Sequence, residues 1–142
     1  MTFYRGRLFD HVHLRAADLE ASKRFYRAAL AALGIEIIGE SPRHFAADEL
    51  WISPRDEGPA DTRYSSRVHL AFQAADRETV HKVHAAMLAG GGRDNGGPGE
   101  RSYHPGYYAA YALDPDGNNI EVVFHGPNKR SAAAVAIDPA GP

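Results

Sequence analysis

The sequence predicts an α+β protein built from two tandem βαβββ modules, and three observations carry that prediction. The chain repeats itself after 58 residues. Within each repeat the apolar spacing switches from the two-residue period of a strand to the 3.6-residue period of a helix and back. Turn and cap residues stand at each switch. Aligning His11 with His69 pairs Ala16-Ala17-Asp18 with Ala74-Ala75-Asp76, Glu20 with Glu78, Ala28 with Ala86, Leu30-Ala31 with Leu88-Ala89 and Gly34 with Gly92. That is nine identities in 24 ungapped pairs, against roughly two by chance. The modules run over about residues 7–58 and 66–126. Together they read as one domain over 1–126, because a half of that size buries too little apolar surface to stand alone. Residues 127–142 form a C-terminal tail without periodicity, expected to dock loosely.

Each module opens on a strand, Phe9 to Arg15 and Arg67 to Gln73, where apolar and polar residues alternate. Asp18 and Asp76 follow at N-cap positions, with Glu20 and Glu78 in the first turn, where the helix dipole favours acids. Leu19, Phe25, Tyr26, Ala29, Leu30 and Leu33 give the first helix its apolar stripe. Val80, Val83, Met87 and Leu88 do so for the second. Gly34 and Gly90-Gly91-Gly92 stop them. In module one Ile35–Ile38, His44–Ala47 and Leu50–Ser53 read as strands. In module two Arg93–Pro105 reads as a Gly-, Asn- and Pro-rich loop. Tyr107–Leu113 and Asn119–His125 form a hairpin turned by Asp114-Pro-Asp-Gly117, with Pro and Gly where a type I turn and a positive φ want them.

Composition narrows the function classes. The 142 residues carry 16 Lys plus Arg against 18 Asp plus Glu, a net charge of −2, without the basic surplus of a nucleic-acid binder. No apolar run reaches ~18 residues, so no membrane span is expected, and the polar N-terminus does not read as a signal peptide. The absence of Cys excludes disulfides, thiolate metal sites and a cysteine nucleophile, and fits a cytoplasmic protein. Eight histidines remain, so any metal site must be built from His and carboxylates.

Strand alternation sorts those histidines. Val12 and Leu14 share one face of the first strand, and His11, His13 and Arg15 the other. In the repeat strand Val68, Leu70 and Phe72 oppose His69, Ala71 and Gln73. In the last strand Ile120, Val122 and Phe124 oppose Glu121, Val123 and His125. His11, His69 and Glu121 thus fall on polar faces. Two imidazoles and one carboxylate are the donor set of a facial triad, with positions left open for water or substrate. Such donors suit Fe, Mn, Ni, Zn or Co, and the repeat predicts that pseudo-twofold packing brings His11 and His69 together. Taken singly, each reads first as a satisfied strand residue, and the repeat is what points to a joint role.

The stretch Asp10-His-Val-His-Leu-Arg-Ala-Ala-Asp-Leu-Glu-Ala-Ser-Lys-Arg-Phe-Tyr26 resembles the opening module of the vicinal oxygen chelate superfamily, which includes glyoxalase I, extradiol dioxygenases, and fosfomycin and bleomycin resistance proteins. Leu113-Asp-Pro-Asp-Gly-Asn-Asn-Ile-Glu-Val122 resembles its closing hairpin. The resemblance covers residues 7–126. It implies a cupped, mostly antiparallel sheet with the helices on its outer face, and a homodimer. Its metal-dependent members take ligands from the first and last strands of each module, which carries over to His11, His69 and Glu121. The fourth position, a carboxylate in glyoxalase I, falls on Trp51 when Leu50-Trp51-Ile52 is aligned with Ile120-Glu121-Val122, or on Glu49 when the alignment slides by two.

The function expected on this basis is a small glyoxalase- or dioxygenase-like enzyme. A divalent metal would bind the vicinal oxygens of a small molecule, for lyase, isomerase or dioxygenase chemistry. His13, His104 and Tyr107 are candidates to move protons, and Trp51, Glu49 and Tyr111 to line the substrate pocket. The alternative is a metal-free ligand-sequestering protein resembling the bleomycin resistance members, with Trp51, Tyr107, Tyr108 and Tyr111 as aromatic walls. His125 is expected at a rim, and His81 and His84 are expected to be solvated or helix-packing with no carboxylate placed to complete a site, while His44 has no informative context. Trp51 also reads as an ordinary core residue.

Overall fold

In the computed structural model, which describes residues 3–5, 8–56, 67–129, 132 and 134–140, the elements follow in the order β1 (Phe3–Arg5), β2 (Val12–Ala16), α1 (Leu19–Ala32), β3 (Gly39–Ser41), β4 (His44–Ala47), β5 (Leu50–Pro54), β6 (His69–Gln73), α2 (Arg77–Ala89), β7 (Arg93–Glu100), β8 (Tyr107–Leu113), β9 (Asn119–His125) and β10 (Val135–Ile137). The βαβββ pattern therefore occurs twice. The expected module ends at residues 7, 57–58 and 66 lie outside the described residues.

Both helices start at the expected caps. The Asp18 carboxylate accepts from Ala21 N at 3.1 Å and that of Asp76 from Thr79 N at 2.7 Å, each satisfying an amide with no partner inside its own helix. α1 buries Leu19, Phe25, Tyr26, Ala29 and Leu30, and α2 buries Val80, Val83 and Met87. Each sheet has the same plan, β2-β5-β4-β3 in module one and β6-β9-β8-β7 in module two. In both, the first strand pairs parallel to the last and the remaining pairs are antiparallel. The two sheets share one continuous apolar core through α1 and α2, which pack against each other.

A buried polar tie joins the modules. The Tyr26 hydroxyl donates to Asp114 Oδ2 at 2.6 Å, and the same carboxylate accepts from the backbone of Asp116 and Asn118 and from Asn118 Nδ2. Burial first, and Asp114 second, push the Tyr26 hydroxyl well above the usual phenol range. It stays protonated and keeps donating. Ala17 N also reaches across to Asp116 Oδ1 at 2.9 Å.

Four expectations are corrected. The opening strands are shorter than Phe9–Arg15 and Arg67–Gln73, starting at Val12 and His69. Ile35–Ile38 is not a strand: Ile35 N donates back to Leu30 O at the end of α1 at 2.8 Å, and the ladder begins at Gly39, paired with Ala46. Residues 93–100, read as loop, form β7, an edge strand that pairs with β8 through two register shifts and so absorbs its glycines and Pro98. Finally, the tail is not without regular structure: β10 pairs antiparallel with β1.

Candidate metal and ligand site

The polar faces expected from alternation are present, and the register shows how they differ. In module two a row crosses the sheet from Ala71 through Glu121 to Tyr111. In module one the matching row runs from His13 through Trp51 to Ala46 and Gly39. His13 and Ala71 are 58 residues apart, so Trp51 stands in module one where Glu121 stands in module two. Glu49 lies in the turn before β5.

Module two brings two of the three expected donors together. Glu121 is 1% exposed, and its Oε1 lies 2.8 Å from His69 Nε2. Its second oxygen accepts from the Tyr107 hydroxyl. A carboxylate this deeply buried needs such partners to offset its lost hydration. Burial, and then Glu121, hold the Tyr107 hydroxyl protonated far above its usual range, and the same causes in the same order raise Tyr111. Tyr111 sets its ring 6.1 Å from that of His69, and the Arg101 guanidinium lies over the Tyr111 ring, 5.3 Å from its centre. His69, Glu121, Tyr103, Tyr107 and Tyr111 line a small hollow of about 390 Å³.

A second cluster extends from this site. His104 Nδ1–H donates to Pro105 O at 2.9 Å, which leaves its Nε2 to accept from His125 Nδ1–H at 2.9 Å. Tyr107 meets both imidazoles edge-on. His104 is thus tied to the end of β9, and His125, expected as a bare rim residue, is its partner.

The third expected donor stands apart in the single chain. His11 is exposed, with Nδ1 2.7 Å from Asp10 Oδ1. It lines a different cavity, of about 490 Å³, together with His13, His44, Glu49 and Trp51. Among the described residues, no three His, Asp or Glu side chains converge closely enough to hold a metal. The reason is topological. β2 and β6 are the end strands of their sheets, and no ladder joins them. Between them lies a cleft of about 500 Å³ lined by Leu8, Phe9, Val12, Leu70 and Phe72, with Glu49 and His69 at its sides. Leu8 and Phe9 are exposed there.

Module one carries its own ordered polar face. His13 Nε2 is 2.7 Å from the buried Ser53 hydroxyl, which Arg15 also reaches at 3.1 Å. His44, for which the sequence offered no context, stacks on Trp51 with ring centres 4.3 Å apart and planes 2° from parallel. Alternation puts His44 on the face of Ala46, and the register that pairs Ala46 with Trp51 brings the two rings together. Trp51 is 40% exposed and is not a core residue. On the helices, His81 bonds Tyr108 at 2.6 Å and His84 bonds Asp94 at 3.0 Å, so His84 does have a carboxylate beside it. Asp94 is held below the usual carboxylate range by the Gly96 amide first and His84 second.

Paired βαβββ modules with a His–carboxylate pair on the open sheet face define a glyoxalase-type fold. The chain belongs to the Glyoxalase/Bleomycin resistance protein/Dioxygenase superfamily, whose sequence model matches residues 8–122. It is similar to a glyoxalase/bleomycin resistance protein from Albidiferax ferrireducens T118, at 33% identity and TM-score 0.68, over 82% of this chain and 98% of that one. A glyoxalase-related enzyme from Fulvimarina pelagi shares the fold at 20% identity and TM-score 0.71, over 94% and 99% of the two chains. So does a lactoylglutathione lyase from Agrobacterium tumefaciens, at 22% and 0.62, over 84% and 94%. Among curated proteins none matches this chain. Among the described residues no helix is long and apolar enough to cross a membrane.

Proposed function

We propose that this protein is a divalent-metal-dependent enzyme acting on a small molecule with vicinal oxygens, with the metal held by His69, Glu121 and His11. One observation carries the proposal: a buried carboxylate and an imidazole nitrogen face each other across 2.8 Å on the open sheet face. The donor set fits a divalent ion, because His69 and Glu121 would offer it an imidazole nitrogen and a carboxylate oxygen in place of the proton they otherwise share. Fe, Mn, Ni, Zn and Co all accept such ligands. Bound there, the ion would supply Lewis acidity toward the substrate oxygens, or an open position for dioxygen. Tyr107 donates to the far oxygen of Glu121 and fixes the carboxylate's rotation. His104 and His13, each held in one orientation by a hydrogen bond, are the imidazoles proposed to move protons. Trp51, Glu49 and Tyr111 line the approaches.

His11 enters the set through a homodimer. Among the described residues β2 and β6 each pair along one edge only, and their other edges, beside exposed Leu8 and Phe9, are surfaces that a second copy would cover. Edge pairing of one copy's β2 with the other's β6 would carry His11 toward His69. Elemental analysis of protein purified without a His tag tests the proposal. About one equivalent of a transition metal per chain, with a higher melting temperature on adding Mn, Ni, Fe(II), Zn or Co, is expected. Less than about a tenth of an equivalent with no shift would overturn it.

The second reading, a metal-free sequestering protein, is favoured by one feature: Trp51, stacked on His44, occupies the module-one position that corresponds to Glu121. Tight small-molecule binding with no metal response would select it.

A further inference from the structure

The metal proposal draws on the module-one cavity for His11 and His13 and treats Trp51 and Glu49 as its approach, and the rest of the lining is organised for something flat. Trp51 and His44 form a two-ring stack, and Ser41 Oγ anchors His44 Nδ1 at 2.8 Å. His13 meets Trp51 edge-on at 6.5 Å and is itself anchored on Ser53. The floor beside the indole is small, made of Ala46 and Gly39 in register with Trp51. A Cβ at Gly39 would meet nothing within 4 Å, so the space above the floor is open. An indole left 40% exposed over open space is an apolar surface that a flat ring could cover.

Charge narrows the class. Asp48 and Glu49 line the cavity, and no Lys or Arg does so among the described residues. Asp48 sits at φ 45°, the left-handed region, which sets the tight turn carrying both carboxylates. Carboxylates at the rim and an indole face both favour a neutral or positively charged ring over an anionic one.

The geometry points to a binding site for a planar aromatic ring, neutral or cationic, stacked against the Trp51–His44 pair and serving as the recognition element of the small-molecule substrate. The inference rests on the proposed function only in making the ring part of a substrate, because stacking itself needs no metal.

Trp51 is the one tryptophan of the chain, so its fluorescence reads the site directly. Metal-stripped protein is titrated with benzamide, benzamidinium, benzoate and cyclohexanecarboxamide. Benzamide and benzamidinium should give saturable changes, with cyclohexanecarboxamide and benzoate each weaker by about tenfold. His44→Ala should weaken benzamide several-fold, whereas His44→Phe, which keeps a stacking surface, should retain it; circular dichroism checks that both fold. Equal binding of the cyclohexane analogue, tightest binding of benzoate, or no saturation by either favoured ring would overturn the inference. Ring binding without metal uptake would sink the metal proposal alone, and metal uptake without ring preference would sink this one alone.

Discussion

Module one and module two place matching residues on matching rows of two sheets with the same strand order, yet their open faces differ in kind. At the row where module two sets Glu121 against Ala71, module one sets Trp51 against His13. One face holds a buried carboxylate met by an imidazole and a phenol. The other holds a stack of flat rings above a small floor. The sides turned to the core have kept the same caps and helix stripes. Duplication has thus preserved what packing demands, and has diverged where side chains face solvent and ligand. Even a shared residue serves two ends. Gly34 and its counterpart Gly92 are 58 residues apart, but Gly34 is needed for φ +77°, whereas a Cβ at Gly92 would lie 2.5 Å from the Phe25 ring.

The largest expected effect falls where the modules join. Asp114→Ala would leave the Tyr26 hydroxyl and the Asn118 amide without their buried acceptor and should cost about 3 kcal/mol or more, read by urea denaturation. A loss near zero would mean the modules are held by the helices alone. Next, Glu121→Ala and His69→Ala should each weaken metal binding by about a hundredfold, while Trp51→Phe, at the matching row, leaves it within a factor of a few. Equal losses at both rows would erase the proposed asymmetry. Gly92→Ala should destabilise by about 1–3 kcal/mol through overpacking against Phe25, and Gly34→Ala by about 1 kcal/mol through backbone strain alone; thermal melts separate them.

The smallest effects should be the matched ones. Asp18→Ala and Asp76→Ala remove equivalent caps and should lower the melting temperature by similar amounts. Hydrogen bonds from the Thr79 side chain and then its backbone hold the Asp76 carboxyl below its ordinary range. Its contribution is therefore full above the unfolded pKa of about 4 and fades as pH falls through the lower folded value. Melts from pH 6 downward should show the Asp76→Ala difference shrinking in acid; a difference that grows there would refute the cap's charge as the cause.

What could be read from the chain was whatever local chemistry decides. The hairpin strands Tyr107–Leu113 and Asn119–His125 match the structure residue for residue, because a proline–glycine turn fixes one end and alternation fixes the faces. Both helix starts match through their caps. β7 was illegible because Asn95, Gly96, Gly97, Pro98 and Gly99 carry no strand preference; β8 imposes the pairing from outside. β10 was illegible because its partner lies at the other end of the chain. In the candidate site, alternation put His69 and Glu121 on one face. The Trp51–His44 stack and the His104–His125 pair needed cross-strand register, which the sequence does not carry. The separation of His11 from His69 depends on how two whole modules sit, and no local pattern encodes that.

The proposed division of labour, with a His–carboxylate pair from module two completed by His11 from module one, is tested most directly by titrating Co(II) into the metal-free wild type and into His11→Ala, His69→Ala and Glu121→Gln, following the visible absorption of the bound ion. The wild type should saturate at one equivalent per chain, and all three variants should bind at least about tenfold more weakly. Wild-type affinity in His11→Ala, or no saturable binding by the wild type, would contradict it.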